Sequence, residues 1–278
     1  MYFPPGMGAS PKHPPGRAGL WLTLGLAGCL PAVTNYATTP GPRFAGPPAE
    51  APWAGEAPGL KVVTWNVKWG EQPEAAAEIL ATHPRLREAD IVLLQEMHET
   101  AVETIAARLG SGYVYYPAMV HPRVRHHVGN AILSRWPLLE DRKVVLPHLG
   151  RIGGTARAAV VATVKVREQR IRVYSLHLAT PFEIGHRGIE DQVRAVIQDA
   201  AGSPDPVLIA GDFNSSRVGG LLVDAGYEWV TQRIGRTAWI MALDHVFIRG
   251  LDLRPVAGTV VEKPIPSDHR PVWAVMQP

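Results

Sequence analysis

A single cysteine, Cys29, occurs in the 278 residues, so no disulfide can form within the chain. Long apolar runs are missing as well. The uncharged stretch from Ala18 to Ala27 is too short to span a bilayer comfortably. No Gly-x-Ser-x-Gly elbow, Walker-type phosphate loop or His-Glu-x-x-His helix is present, which leaves serine hydrolase, NTPase and zincin readings without footing. A strong charge bias is lacking too. Residues 1–28 hold two of the 28 basic residues and no acidic one, so residues 29–278 carry 26 basic against 25 acidic and are near neutral. The whole-chain pI of about 9.1 is therefore weak evidence for nucleic-acid binding.

What is present begins with the leader. Lys12 and Arg17 precede the apolar stretch, which stops at Gly28-Cys29, and this order describes a secretory signal. Leu26-Ala27-Gly28-Cys29 resembles a bacterial lipobox, in which the cysteine is lipidated and becomes the mature N-terminus. The expectation is a lipoprotein-type signal peptide over 1–28 and a membrane anchor at Cys29. The protein would then sit in the cell envelope, facing outside the cytoplasm. Leu30, not Asp, follows the cysteine, which in a two-membrane bacterium points to the outer membrane. Residues 29–59 are rich in Pro, Gly and Ala with no hydrophobic period and read as a disordered tether.

From Leu60 the texture changes. Strand-like runs are expected at 60–66, 90–95, 113–119, 130–134, 157–166, 171–178, 206–213, 243–249 and 271–276. Helical patterns fit 73–82, 98–109 and 185–201, the last with Ile189, Val193, Val196 and Ile197 on one face. This mixed order favours an α+β fold, a two-sheet sandwich with outer helices, forming one catalytic domain over 60–278.

Several apolar runs end in residues that handle metal or phosphate. Glu96 closes Ile91-Val92-Leu93-Leu94-Gln95, and a carboxylate there suits a hard cation such as Mg²⁺. Asn66 offers an amide to a phosphate oxygen or a bound water. Gly211-Asp212-Phe213-Asn214 places an acid and an amide on the same side of a strand, where they can orient an attacking water and hold a phosphoryl oxygen. Glycine at 211 is expected to let the backbone approach a ligand. In Ser267-Asp268-His269, the imidazole can take a proton from water near neutral pH and Asp268 can bind metal. Asp244 can fix a histidine tautomer. His177, ending Tyr174-Ser175-Leu176, can protonate a leaving alkoxide. Basic residues gather between His121 and Arg157, including Arg123, Arg125 and Arg151. His121, His126 and His127 have no adjoining acid or cysteine in sequence to complete a zinc site.

Trp65-Asn66, Leu94-Gln95-Glu96, Gly129-Asn130-Ala131-Ile132-Leu133-Ser134-Arg135, Ser175-Leu176-His177-Leu178, Gly211-Asp212-Phe213-Asn214, Leu243-Asp244-His245-Val246 and Ser267-Asp268-His269 occur in one order along 60–278. Taken together they resemble the endonuclease/exonuclease/phosphatase superfamily. The resemblance implies a four-layer α/β/β/α sandwich of two mixed sheets and a Mg²⁺-dependent phosphoester hydrolase site, with Mn²⁺ as an alternative ion. By position, Glu96 resembles the main metal ligand, assisted by Asn66 and Asp268. His269 resembles the general base oriented by Asp244, while Asp212 and Asn214 hold water and phosphate. His177 matches a histidine that assists phosphate binding or leaving-group protonation, and Arg157 a phosphate-contacting arginine.

The His177 segment does not resemble the tyrosine-containing equivalent of abasic-site repair enzymes, which argues against DNA repair. An extracytoplasmic nuclease acting as a monomer is the leading expectation. A phospholipid or sphingomyelin phosphodiesterase, a small-molecule phosphatase and an inactive envelope binding protein are the alternatives. A lipid enzyme would show exposed apolar residues near the site, and Trp69 and Trp136 are the candidates. For the anchor, Cys29→Ser is expected to release the protein from the membrane fraction, as read by fractionation and immunoblotting. Retention of that variant on membranes would count against lipidation.

Overall fold

Runs such as Val62-Val63-Thr64-Trp65 turn successive side chains to opposite faces of a strand, so an unbroken apolar run needs cover on both sides. The structure, a computed structural model, describes residues 33–38, 40–48, 59–151, 153–262 and 265–277, and it supplies that cover. The leader 1–28 and Cys29 lie outside the described residues.

The chain opens with β1 (Thr34–Asn35), β2 (Phe44–Gly46), β3 (Leu60–Asn66), α1 (Pro73–Thr82), β4 (Ile91–Met97) and α2 (Glu99–Leu109). It continues through β5 (Gly112–Val120), β6 (His127–Ser134), β7 (Leu138–Val145), β8 (Ala158–Val166), β9 (Gln169–His177) and α3 (Pro181–Ala201). It closes with β10 (Val207–Asp212), α4 (Gly219–Asp224), β11 (Glu228–Trp229), β12 (Asp244–Arg249), β13 (Arg254–Thr259) and β14 (Val272–Gln277). One sheet has the order β1-β5-β6-β4-β3-β14-β13, with β2 also on the edge of β5, and the other β11-β12-β10-β9-β8-β7. Each is mixed: β3 with β4 and β10 with β9 run parallel, and the other pairs antiparallel.

The expected four layers are present. Val62, Leu93 and Ile132 of the first sheet pack with Val160, Val173, Leu208 and Val246 of the second, filling the space between them. Their strand neighbours Val63, Trp65, Val92 and Leu94 face outward onto α1 and α2, among Leu80, Val102 and Ile105. On the far side Val161, Tyr174, Ile209 and Phe247 lie under α3 and α4, with Ile189, Val193, Val196 and Leu222.

Residues 33–48 depart from the tether expected over 29–59, since part of that segment is built into the first sheet. Phe44 pairs with Tyr115, and Thr34 with Val120. The Asn35 amide donates to Gly154 O at 2.7 Å, and its oxygen accepts from Ala156 N at 2.9 Å. The Lys143 ammonium donates to the carbonyls of Tyr36 and Gly41. Strands of two and three residues carry no readable period, so only the β5 edge reveals them. β7 and β13 escape sequence reading because they are partly exposed edge strands, where charge and Pro255 replace the apolar run. α3 begins four residues before the expected start, in a turn closed by a Thr180–Glu183 capping box and kinked at Gly185, φ 76°.

Gly211 serves a different purpose from the ligand approach read from sequence. At φ 149° its position leaves a Cβ only 2.0 Å from the Leu176 carbonyl oxygen, so glycine is what lets β10 lie beside β9. Gly211→Ala is expected to cost roughly 3 kcal/mol in urea denaturation. Gly220→Ala, with open space around its Cβ, should leave stability within about 0.5 kcal/mol of the parent.

Candidate active site

Strand direction decides where the polar residues meet. β3 and β4 run parallel and end together, at Asn66 and just past Gln95. β9 and β10 do the same, with His177 directly beside Asp212. β12 is antiparallel to β10 and starts opposite that end, pairing Asp244 with Asp212. β14 is antiparallel to β3, so the residues before it, Ser267 to His269, arrive at the same rim. Four strand ends and two strand starts therefore deliver their polar side chains to one place.

The Asn66 amide lies between two acids, donating to Glu96 Oε1 at 3.2 Å and Asp212 Oδ2 at 3.1 Å. Asn66 Oδ1 accepts from Lys68 N, which fixes the amide's orientation. Glu96 sits in a bulge of β4 at φ 57°, a strained backbone that turns the carboxylate toward the rim. Asp212 is buried, and its second oxygen accepts from Asn214 N at 2.8 Å. The Asn214 side chain donates to Leu178 O and is half-buried.

Asp244 Oδ2 and His269 Nδ1 are 2.9 Å apart, both buried, and His269 Nε2 points to Asp212 Oδ2 at 3.7 Å. Burial disfavours a charged His269, yet the Asp244 and Asp212 carboxylates outweigh it and push the imidazole up to about 10. Burial together with the Asp244 charge lifts Asp212 to about 7. Burial also raises Glu96, against the Asn66 hydrogen bond.

His177 occupies the opposite flank. Its Nε2 is 3.6 Å from Asp212 Oδ2 and 3.9 Å from Glu96 Oε1. Arg157 Nη1 donates to His177 Nδ1 across 3.4 Å, so the ring proton resides on Nε2 and faces the acids. Burial drives His177 well below the ordinary histidine range, helped by Arg157 and His269, so the ring is neutral.

Arg157 reaches this place because Glu183 holds both branches of its contact: Nη2 donates to Oε1 and Oε2 at 3.1 Å each. Sequence reading missed Glu183, although Thr180-Pro181-Phe182-Glu183 carries the capping-box spacing that would have found it. Thr237 was missed too. Its Oγ1 accepts from Leu243 N and Asp244 N, pinning the start of β12. The Ser267 hydroxyl donates to Asn66 O and accepts from His269 N, fastening one half of the rim to the other. Trp65 Nε1 adds a bond to His269 O.

Not every sequence candidate joins the cluster. Asp268 is exposed and lines a shallow cleft with Arg236, Trp239 and Arg270, contributing to Glu96 only through its charge. Trp136 lies at the other end of β4, with its ring nitrogen on Asp90. Trp69 is at the site end, tilted against His121 and under Arg123. His127 gains the acid that sequence did not show, with Nδ1 3.0 Å from Glu99, and its other nitrogen meets the Tyr36 hydroxyl.

Among the described residues, Asp212, Asp244 and His269 place ligand atoms within 4.8 Å of one another. The buried Asp244 Oδ1 has no hydrogen-bond partner. Glu96 and the two aspartates are hard oxygen donors beside the His269 imidazole; burial raises Asp212 and Glu96, with the Asp244 charge adding to Asp212, and a divalent cation would meet that electrostatic demand.

The family model described as "Endonuclease/Exonuclease/phosphatase family" matches residues 63–269. The chain belongs to that family, whose members are metal-dependent phosphoesterases. The Escherichia coli K12 protein YbhP is 28% identical over 252 residues, covering 77% of this chain and 95% of YbhP. D. rerio TDP2, solved with a single-strand DNA product, superposes with a TM-score of 0.64 at 21% identity, covering 79% of this chain and 99% of that one. A mannosyl-6-phosphatase of Bacteroides thetaiotaomicron VPI-5482 gives 0.61 at 16% identity, over 78% and 99%. At such identities the superpositions speak for the fold.

The elevated His269 has a consequence for the metal-free protein. A folded-state value near 10 against about 6.5 unfolded means the Asp244–His269 pair stabilises fully below about pH 6.5 and loses that contribution as pH rises toward 10. Asp212, already past its own titration near 7, adds little slope in the upper part of that window. Between pH 7 and 10, wild-type protein in EDTA should lose on the order of 3 kcal/mol more unfolding free energy than Asp244→Asn. Parallel pH profiles for the two would contradict this pairing.

Proposed function

We propose that the chain is a Mg²⁺-dependent phosphodiester hydrolase in which His269 activates the attacking water. The observation that carries this reading is the Asp244–His269 bond, which occupies Nδ1 and leaves Nε2 aimed at Asp212, the acid that Asn66 links to Glu96. Glu96, with the Asn66 amide beside it, would hold the ion, while Asp268, expected from sequence to assist, stands outside the cluster. A cation bound there neutralises charge on the phosphoryl oxygens and offsets the carboxylates that keep His269 protonated. Asp244 fixes the tautomer and stabilises the imidazolium once the water proton arrives. Asp212, held by Asn66 and Asn214, orients the water against the phosphorus. Neutral His177, its proton on Nε2, donates to a phosphoryl oxygen. Arg157, locked by Glu183, adds positive charge beside it. Leaving-group protonation by His177, the role suggested by sequence, fits less well, because a neutral ring with a depressed proton affinity holds no spare proton to give.

An extracytoplasmic nuclease is the favoured substrate reading, supported by the Arg123 and Arg125 loop at the site end and by the DNA product in TDP2. A second reading, a phospholipid phosphodiesterase, is favoured by exposed apolar residues around the same rim. Turnover of plasmid DNA, a bis-aryl phosphate and phospholipid vesicles, each with Mg²⁺ and with EDTA, tests the proposal. EDTA-sensitive hydrolysis of at least one is expected, with Glu96→Ala and His269→Ala each lowering kcat by about 10³-fold or more. Undiminished rates in both variants would remove this mechanism.

A further inference from the structure

Soluble domains seldom expose large apolar side chains in groups. Here Leu149, Phe182, Trp239, Ile240 and Met241 are all exposed, and all come from segments bordering the active site. Leu149 precedes Gly150, a glycine beside Glu183, and Phe182, 90% exposed, is the second residue of α3, five positions after β9 ends at the rim. Trp239 and Ile240, 79% and 86% exposed, form the tip of a tight turn. Met241 N donates to Ala238 O and Thr237 N to Met241 O, closing it. Ala238 also bridges His269, so the tip stands directly beside the proposed base. Trp239 adopts φ 49°, a conformation that suits Asn or Gly far better than a bulky ring. A strained, exposed tryptophan with aliphatic neighbours has no folding purpose visible in the core.

The charges around the tip are mostly of one sign. Arg233 and Arg236 are exposed and Arg270 half-buried, with Asp268 the acid among them. Arg123, Arg125 and Arg151 add to the same end of the molecule. Apolar residues at a tip, with an indole among them and arginines behind, match the layering of a bilayer surface, where acyl chains lie below anionic head groups. Stacked bases would use Trp239 but give Ile240 and Met241 nothing to do. The chain's entry point agrees. Val33 reaches the domain at this end, since Thr34 pairs with Val120 and Asn35 is tied to Gly154. Three residues separate it from Cys29, a span of at most about 14 Å, so a lipid on Cys29 would bring the same end to a membrane.

We propose that the Trp239–Met241 turn, with Phe182 and Leu149, docks the site-bearing end of the protein onto an anionic lipid bilayer. That the reacting phosphoester is then presented at the bilayer surface rests on the phosphoesterase reading above; the docking does not.

The test uses the full chain with Cys29→Ser, which removes its one native thiol, and a polarity-sensitive fluorophore on Ile240→Cys or, as a control on the β13 edge, on Val256→Cys. Vesicles of phosphatidylglycerol and phosphatidylcholine should shift the emission at position 240 to the blue with a several-fold gain in intensity, and leave position 256 unchanged. Adding Trp239→Ser should raise the lipid concentration needed for the half-maximal response by roughly tenfold. His269→Ala should dock like its parent, so a failed reaction and a failed docking are read separately. No response at 240, equal responses at 240 and 256, or a response to single-stranded oligonucleotide without one to vesicles would overturn the proposal, the last assigning the tip to nucleic acid.

Discussion

Negative charge gathered where two sheets end is the constraint that the rest of the site answers. Asp212 and Asp244 are buried on adjacent strands, with Glu96 nearby across the sandwich, and burial opposes ionisation of Asp212 and Glu96. The surroundings compensate with partners of matched type. Asn66 bridges two of the acids, His269 carries a proton for Asp244 and Asp212, and backbone amides such as Asn214 N supply further bonds. Compensation is incomplete, as the unpartnered Asp244 Oδ1 and the raised Asp212 show, and incomplete compensation suits the place to a cation better than to a closed salt-bridge network.

Such a cluster needs rigid supports, and the fold provides them in pairs. Parallel strands bring Asn66 beside the Glu96 bulge and His177 beside Asp212, while Ser267 ties the segment before β14 to the end of β3. Thr237 fastens the start of β12, and Glu183 holds Arg157 without touching the acids itself. These fastening residues lie outside the charged cluster, yet a shift in any of them would move a side chain whose distances matter at the scale of an ångström.

Much of this is legible in the sequence for a physical reason. A strand buried on both faces must be apolar, so Asn66, Glu96, His177 and Asp212 stand out at the ends of such runs, and the four-layer sandwich agrees with the number of two-faced strands. What escapes reading obeys weaker local rules. β1 and β2 exist only through the edge of β5, and β7 and β13 are edge strands with mixed faces. Gly211 reads as a ligand contact because a backbone-to-backbone approach leaves the same signature as a backbone-to-ligand one. Trp69 and Trp136 stand out as apolar rim candidates by type alone, whereas the exposed rim is built from Trp239, Phe182 and their neighbours, which only coordinates can place.

The short strands near the start of the chain have a protective value of their own. β5 is nine residues long and largely buried, and its outer edge is met by β1 and β2 from the same molecule. Without them, that edge would offer a row of free amides and carbonyls flanked by Tyr115 and Val114, a ready template for a second molecule to zip onto. The N-terminal segment thereby acts as insulation, keeping a sheet assembled from many distant pieces from growing by one more strand from a stranger.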